Sequence, residues 1–216
     1  MLTGSDMLKT TEAAVVSRVA LRDVNRVIDE GILPEDFITL DGGRHVLASA
    51  CTLISFYFES AKCLTSEERL FTIREAGPRL RRSSALELPA LLQEDWTVRD
   101  GFLTIDLAPF VRKATERLDQ LTAALDMVVV SSDVLGGVPV IRGTRVPVHD
   151  VAASSAADIP LERILAAYPG LDAEKVELAT IYAEAYPPRG RPRRGGELPK
   201  GAVIIADRRI PRQRKA

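Results

Sequence analysis

The chain has 216 residues, 46% of them hydrophobic and 27% charged, with a formal net charge of −1. That is enough apolar material for one large core or two small ones, and it excludes a charged disordered chain. The near-neutral total hides a division. Residues 187–216 hold ten Lys and Arg against Glu197 and Asp207, a net of 10 − 2 = +8, while the preceding residues hold 19 basic and 28 acidic side chains, a net of 19 − 28 = −9. A tail opposite in sign to its body is the pattern of an interaction arm. No apolar run has the length of a signal peptide or a membrane span, so a cytoplasmic protein is expected. Cys51 and Cys63 read as two small core thiols.

From the N-terminus, Thr10-Thr11 before "EAAVVSRV" predicts a capped helix with Glu12 in its first turn. After a break at Ser17–Ala20, "LRDVNRVIDEG" predicts a second short helix. Leu21, Val24, Val27 and Ile28 form its apolar stripe, and Gly31 stops it. Arg22, Asn25, Arg26 and Asp29 fall on the other side. Two short helices with a tight turn, the second presenting Arg and Asn outward, make a helix-turn-helix pattern. The strand-like runs Phe37–Leu40 and Arg44–Leu47, joined by Asp41-Gly42-Gly43, predict a wing. "ASACTLISFYFESAKC" is apolar enough for a core helix. Ser66-Glu67-Glu68 opens another, expected to end at Gly77-Pro78.

"RLRRSSALELPALLQED" reads as an irregular stretch, either a linker or a short crossing segment. "WTVRDGFLTIDL" predicts a hairpin around Asp100-Gly101. Pro109–Leu125 predicts a long amphipathic helix with Phe110, Ala114, Leu118, Leu121 and Leu125 on one face. Met127–Val130 reads as a buried strand. Val138–Ile141 and Val146–Val148 form an arm or hairpin turned by Gly143 and pinned by Pro139 and Pro147. Three helices follow: His149–Ala157, Leu161–Ala167 with Asp158 as cap and Pro160 in the first turn, and Asp172–Tyr186 capped by Asp172. From Pro187 the chain turns rich in Pro, Gly and Arg, interrupted by the β-prone run Ala202–Asp207.

Arg and Asn suit bidentate contacts with base edges, so Arg22, Asn25 and Arg26 are the candidate DNA-reading residues. Arg44 and His45, beside the wing turn, are candidates for phosphate or the minor groove. Arg145 is expected to lock the "RGT" arm through backbone carbonyls or a carboxylate, or else to touch a partner. The last helix carries Asp172, Glu174, Glu177 and Glu184, which phosphate would repel, so dimerisation or partner binding is its expected task. No cofactor, metal site or catalytic residue is expected. His45 and His149 are far apart in sequence, with no nucleophile–base set or phosphate loop around either.

"P-x-I-x-G-T-R-x-P-V" (Pro139 to Val148), followed by Tyr168-Pro169 and Leu171, resembles a bacterial family of small helical domains associated with VapB-type antitoxins. Gly137, Pro139, Ile141, Gly143, Thr144, Arg145, Pro147, Val148, Ile164, Tyr168, Pro169, Leu171 and Ala179 carry the resemblance, over roughly Val130–Tyr186. Members often have a Gly before the second helix, where this chain has Ala157-Asp158. The resemblance implies a PIN-like VapC-type toxin as partner, operator DNA as a second partner, and a homodimer. The expected fold is mainly α with small β hairpins: a winged helix-turn-helix over residues 1–80, a linking hairpin and helix over 81–130, a homeodomain-like three-helix antitoxin domain over 131–186, and a basic toxin-binding tail over 187–216. In the tail Arg189, Arg191, Arg193, Arg194, Arg208, Arg209 and Arg212 are the candidates to enter the anionic cleft of a ribonuclease. The alternative is a stand-alone helix-turn-helix regulator whose tail binds nucleic acid.

Overall fold

The computed structural model describes residues 6–84 and 88–188. The chain is mainly helical, with three small antiparallel sheets among the described residues. Strand β1 (Met7–Lys9) leads into helix α1 (Thr10–Ser17), and α2 spans Leu21–Asp29. Strands β2 (Ile38–Thr39) and β3 (His45–Leu47) make the expected hairpin. The sequence reading had no strand before α1. Yet Leu8 pairs with Val46, so β1 adds a third strand to the hairpin and seals one edge of it. Lys9, not a threonine, caps α1. The Glu12 carboxylate turns back to accept the Lys9 N–H at 2.7 Å.

Helix α3 (Cys51–Glu59) is the expected core helix, buried from Cys51 through Tyr57. Burial pushes the Cys51 thiol up to about 12. Cys63, read as a core thiol, is exposed instead, because the chain has already left α3 for a short surface turn. Helix α4 (Ser66–Arg82) starts on a reciprocal cap. The Thr65 N–H donates to Glu68 at 2.7 Å, and the Glu68 N–H donates to the Thr65 hydroxyl at 3.3 Å.

The expected stop at Gly77-Pro78 does not occur. Leu80, 2% exposed, anchors the last turn in the core, and Arg79 donates to the carbonyls of Asp95 (2.7 Å) and Thr97 (3.1 Å). Those tertiary contacts outweigh the bond lost at Pro78. Gly77 has its own reason: a Cβ there would lie 3.4 Å from the Phe37 ring.

The stretch expected as a linker or short crossing segment contains a short helix. Helix α5 (Leu88–Leu91) precedes Trp96, whose indole N–H donates to the Leu91 carbonyl at 2.6 Å. Strands β4 (Thr97–Asp100) and β5 (Leu103–Asp106) pair as expected, with Gly101-Phe102 as the two loop residues and Gly101 at φ +54°. Helix α6 (Ala108–Met127) buries Val111, Ala114, Leu118 and Leu121. The expected buried strand after it is shorter and half-buried: β6 (Val128–Val129) pairs with β7 (Val140–Ile141), and Val130 is exposed.

Helices α7 (Val148–Ala156), α8 (Leu161–Ala167) and α9 (Ala173–Ala185) close the described chain. Asp172 caps α9 as expected, accepting the Lys175 N–H at 2.8 Å. Asp158 does not cap α8. It sits at φ +55°, ending α7, and Pro160 takes the cap position. This turn needs a left-handed residue, and aspartate tolerates that conformation.

Helix α9 packs on α7, α6 and α1 at once. Its apolar residues Val176, Leu178, Ala179, Ile181 and Ala185 are all buried inside the chain, so they are not free for a dimer contact. The buried residues form one hydrophobic cluster running from Leu8 to Ala185. A polar clasp joins its two ends: the Tyr186 hydroxyl donates to Glu12, itself only 7% exposed, and Lys9 Nζ lies 5.1 Å from the Tyr186 ring centroid. Desolvation, then the Glu12 contact, raises the Tyr186 phenol above its ordinary range.

His149, at the start of α7, stands 5.9 Å from the Tyr182 ring. Partial burial lowers its pKa below 6.5, against a smaller opposing effect of Asp150. The unfolded chain therefore binds the proton more readily than the folded one. Stability is expected to be full above pH 6.5 and to fall as pH drops from there toward the folded-state value. Urea midpoints read from Trp96 fluorescence between pH 7 and pH 5.5 test this. His149→Gln should flatten the slope.

Candidate nucleic-acid interface

Helix α2 is docked by Val24 and Val27, with Ile28 partly buried beside them, and exposes Arg22 and Arg26. Val24 and Val27 are fully buried and α2 packs on α1, while Arg22 is 89% exposed at its side chain. The turn before α2 is tight: Arg18 sits at φ +55°, and the Val19 N–H closes on the Ala14 carbonyl at 3.1 Å. Leu21, expected in the buried stripe, is 43% exposed because it lies at the helix mouth.

Arg22, Asn25 and Arg26 follow at i, i+3 and i+4, which places them on one outward face. The hairpin delivers Arg44 to the same face. Its guanidinium donates to Asn25 Oδ1 at 3.3 Å and pairs with Asp29 at 2.7 Å. Asn25 also donates to the Leu21 carbonyl at 3.1 Å, and Arg26 pairs with Glu30 at 2.9 Å. The structure therefore gathers four of the five predicted residues. His45 stands apart, half-buried on β3 across from Thr39 and Lys9, with its Nδ1 3.3 Å from the Gly43 carbonyl.

Electrostatically this face is balanced. Arg22 lies 3.9 Å from Asp23, and Arg26 and Arg44 are paired with Glu30 and Asp29. Exposed pairs of this kind contribute little to stability, so phosphate can displace the carboxylates at little cost. The arginines are legible in the sequence but the aspartate parked on Arg44 is not, because the partners stand 44 − 29 = 15 positions apart.

The "RGT" arm is built by backbone bonds. Thr144 Oγ1 donates to the Ile141 carbonyl at 2.7 Å and accepts the Val146 N–H at 3.1 Å, around Gly143 at φ +75°. The lock is Arg142, not Arg145. Arg142 Nε and Nη2 donate to the Asp126 carbonyl at 2.9 and 2.6 Å, tying the arm to the end of α6. Arg145 is exposed, and its side chain makes no hydrogen bond or ion pair among the described residues. Sequence alone favoured Arg145 because it sits in the motif; Arg142 carries no motif signal.

The tail arginines Arg189, Arg191, Arg193, Arg194, Arg208, Arg209 and Arg212 lie outside the described residues. Among the described residues no group of three or more His, Cys, Asp or Glu could hold a metal ion, and no helix is long and apolar enough to cross a membrane.

Fold and site together define a mainly helical protein with small sheets, one continuous core and an arginine-bearing helix face. Residues 128–183, the arm and the three helices after it, match the family described as protein of unknown function DUF433. The chain belongs to the same family as uncharacterized protein y4eO of Sinorhizobium fredii (strain NBRC 101917 / NGR234): the two are 66% identical over 211 residues, covering 98% of this chain and 96% of that protein. No solved structure matches it.

Proposed function

We propose that this protein is the antitoxin of a toxin–antitoxin pair. It is a cytoplasmic, dimeric, non-enzymatic protein that holds a PIN-like ribonuclease inactive and represses its own promoter. In this reading α1, α2 and the β2–β3 hairpin act as a winged helix-turn-helix, and α7–α9 as a homeodomain-like three-helix unit. The observation that carries the proposal is the charge division, a body of net −9 and a tail of net +8, attached to the segment that resembles VapB-type antitoxin domains.

PIN-like ribonucleases gather carboxylates to bind a divalent metal. Arginines entering such a cleft gain charge-assisted, bidentate hydrogen bonds and oppose the metal. The outward face of α2 supports the DNA half: Arg22, Asn25 and Arg26 are presented together, on a helix docked by Val24 and Val27. Arg145, exposed and without a side-chain partner among the described residues, is a further contact point for the toxin.

Co-expression with the product of the neighbouring gene, which this reading expects to be a PIN-like ribonuclease, tests the pairing. The antitoxin reading expects a stoichiometric complex that survives purification. Absence of a complex, with promoter DNA still bound, would favour the stand-alone regulator, which the α2 face supports equally.

A further inference from the structure

Between α1, the turn into α2, α6 and the end of α9 lies a cavity of about 440 Å³, within the size range of small-molecule sites. Its walls are largely apolar, including Val15, Leu21 and Pro187, and two arginines, Arg18 and Arg117, line it. The Arg18 side chain makes no hydrogen bond or ion pair among the described residues. Arg117 is 14% exposed and poorly satisfied. Its Nη1 donates to Gln120 at 3.0 Å, its Nη2 lies 3.5 Å from the half-exposed Glu184 carboxylate, and its Nε is buried without a partner. Burial first, and then the like charge of Arg18, lower the Arg117 pKa.

Among the lining residues two cations and one loosely held carboxylate leave a net positive charge, with Glu177 acting on Arg117 and Glu59 on Arg18 from outside the lining. A buried, under-compensated guanidinium is costly unless an anion completes it. A carboxylate matches the planar donor fork, and the apolar walls match a hydrophobic body.

We propose that this cavity binds a small amphiphilic anion, its carboxylate held by Arg18 and Arg117 and its apolar part against Val15, Leu21 and Pro187. The site is independent of the antitoxin reading.

Calorimetric titration of the full chain with 2-naphthoate, and with the uncharged 2-naphthamide, tests it. Naphthoate is expected to bind one per chain, and naphthamide about tenfold more weakly or worse, as loss of a charge-assisted contact implies. Arg18→Gln, at an exposed position, should weaken naphthoate binding by a similar factor. Arg117→Gln should do the same while the Trp96-monitored melt stays cooperative. No saturable binding of naphthoate would overturn the proposal. So would equal affinity for the two probes, or an affinity unchanged by Arg18→Gln.

Discussion

Replacing Ile181 with alanine will destabilise the entire described chain, not only the helix that carries it. Ile181 is 1% exposed on α9, which packs on α7, α6 and α1. Truncating a buried Ile to Ala costs about 2–5 kcal/mol, a large share of the roughly 5–15 kcal/mol that holds a domain folded. The hydrophobic cluster continues from α9 through α6 to Trp96 and on to Leu8, and the Tyr186–Glu12 bond ties its ends. The loss should therefore appear equally in Trp96 fluorescence and in helical circular dichroism, as one cooperative transition at lower urea. Two separated transitions, with Trp96 unaffected, would mean that the C-terminal helices fold as an independent unit.

The second large effect lies on the α2 face, and its two arms have opposite signs. Arg22→Ala should weaken binding to the gene's own promoter fragment by about ten- to hundredfold, the worth of a lost bidentate base contact. It should leave the fold intact, because the side chain is 89% exposed. Asp29→Asn should tighten binding severalfold, on the order of 1 kcal/mol, because it removes a negative charge near phosphate and releases Arg44 from its 2.7 Å pair. Fluorescence anisotropy across a salt series separates the contributions. A lost phosphate contact shallows the salt dependence by about one unit, and a lost base contact leaves it unchanged. Unaltered binding by Arg22→Ala together with weaker binding by Asp29→Asn would remove α2 as the reading helix.

What could be read from sequence was whatever has a local period or a local cap. Val24 and Val27, the α6 stripe through Leu118 and Leu121, the β4–β5 pairing and the Asp172 cap all follow from spacing within a few residues. What escaped depends on distant partners. Strand β1 exists because Leu8 finds Val46, and α4 runs past Pro78 because Arg79 and Leu80 find anchors outside the helix. The same holds at the site. Arg22, Asn25 and Arg26 share a face by helical geometry alone, but Arg44 on Asp29, Arg142 on the Asp126 carbonyl and the unpaired state of Arg145 required the assembled chain. The acidic residues of α9 suggested a partner surface; its apolar residues proved to belong to the chain's own core.

Inhibition of RNA cleavage tests the central claim most directly. The PIN-like ribonuclease proposed as partner would be assayed with the full chain and with a chain ending at Pro188, which keeps the clasp at Tyr186. The account predicts stoichiometric inhibition by the full chain and a loss of roughly a hundredfold or more with the shortened one, its Trp96-monitored melt unchanged, because several charge-assisted contacts vanish together. Equal inhibition by the two chains would contradict it.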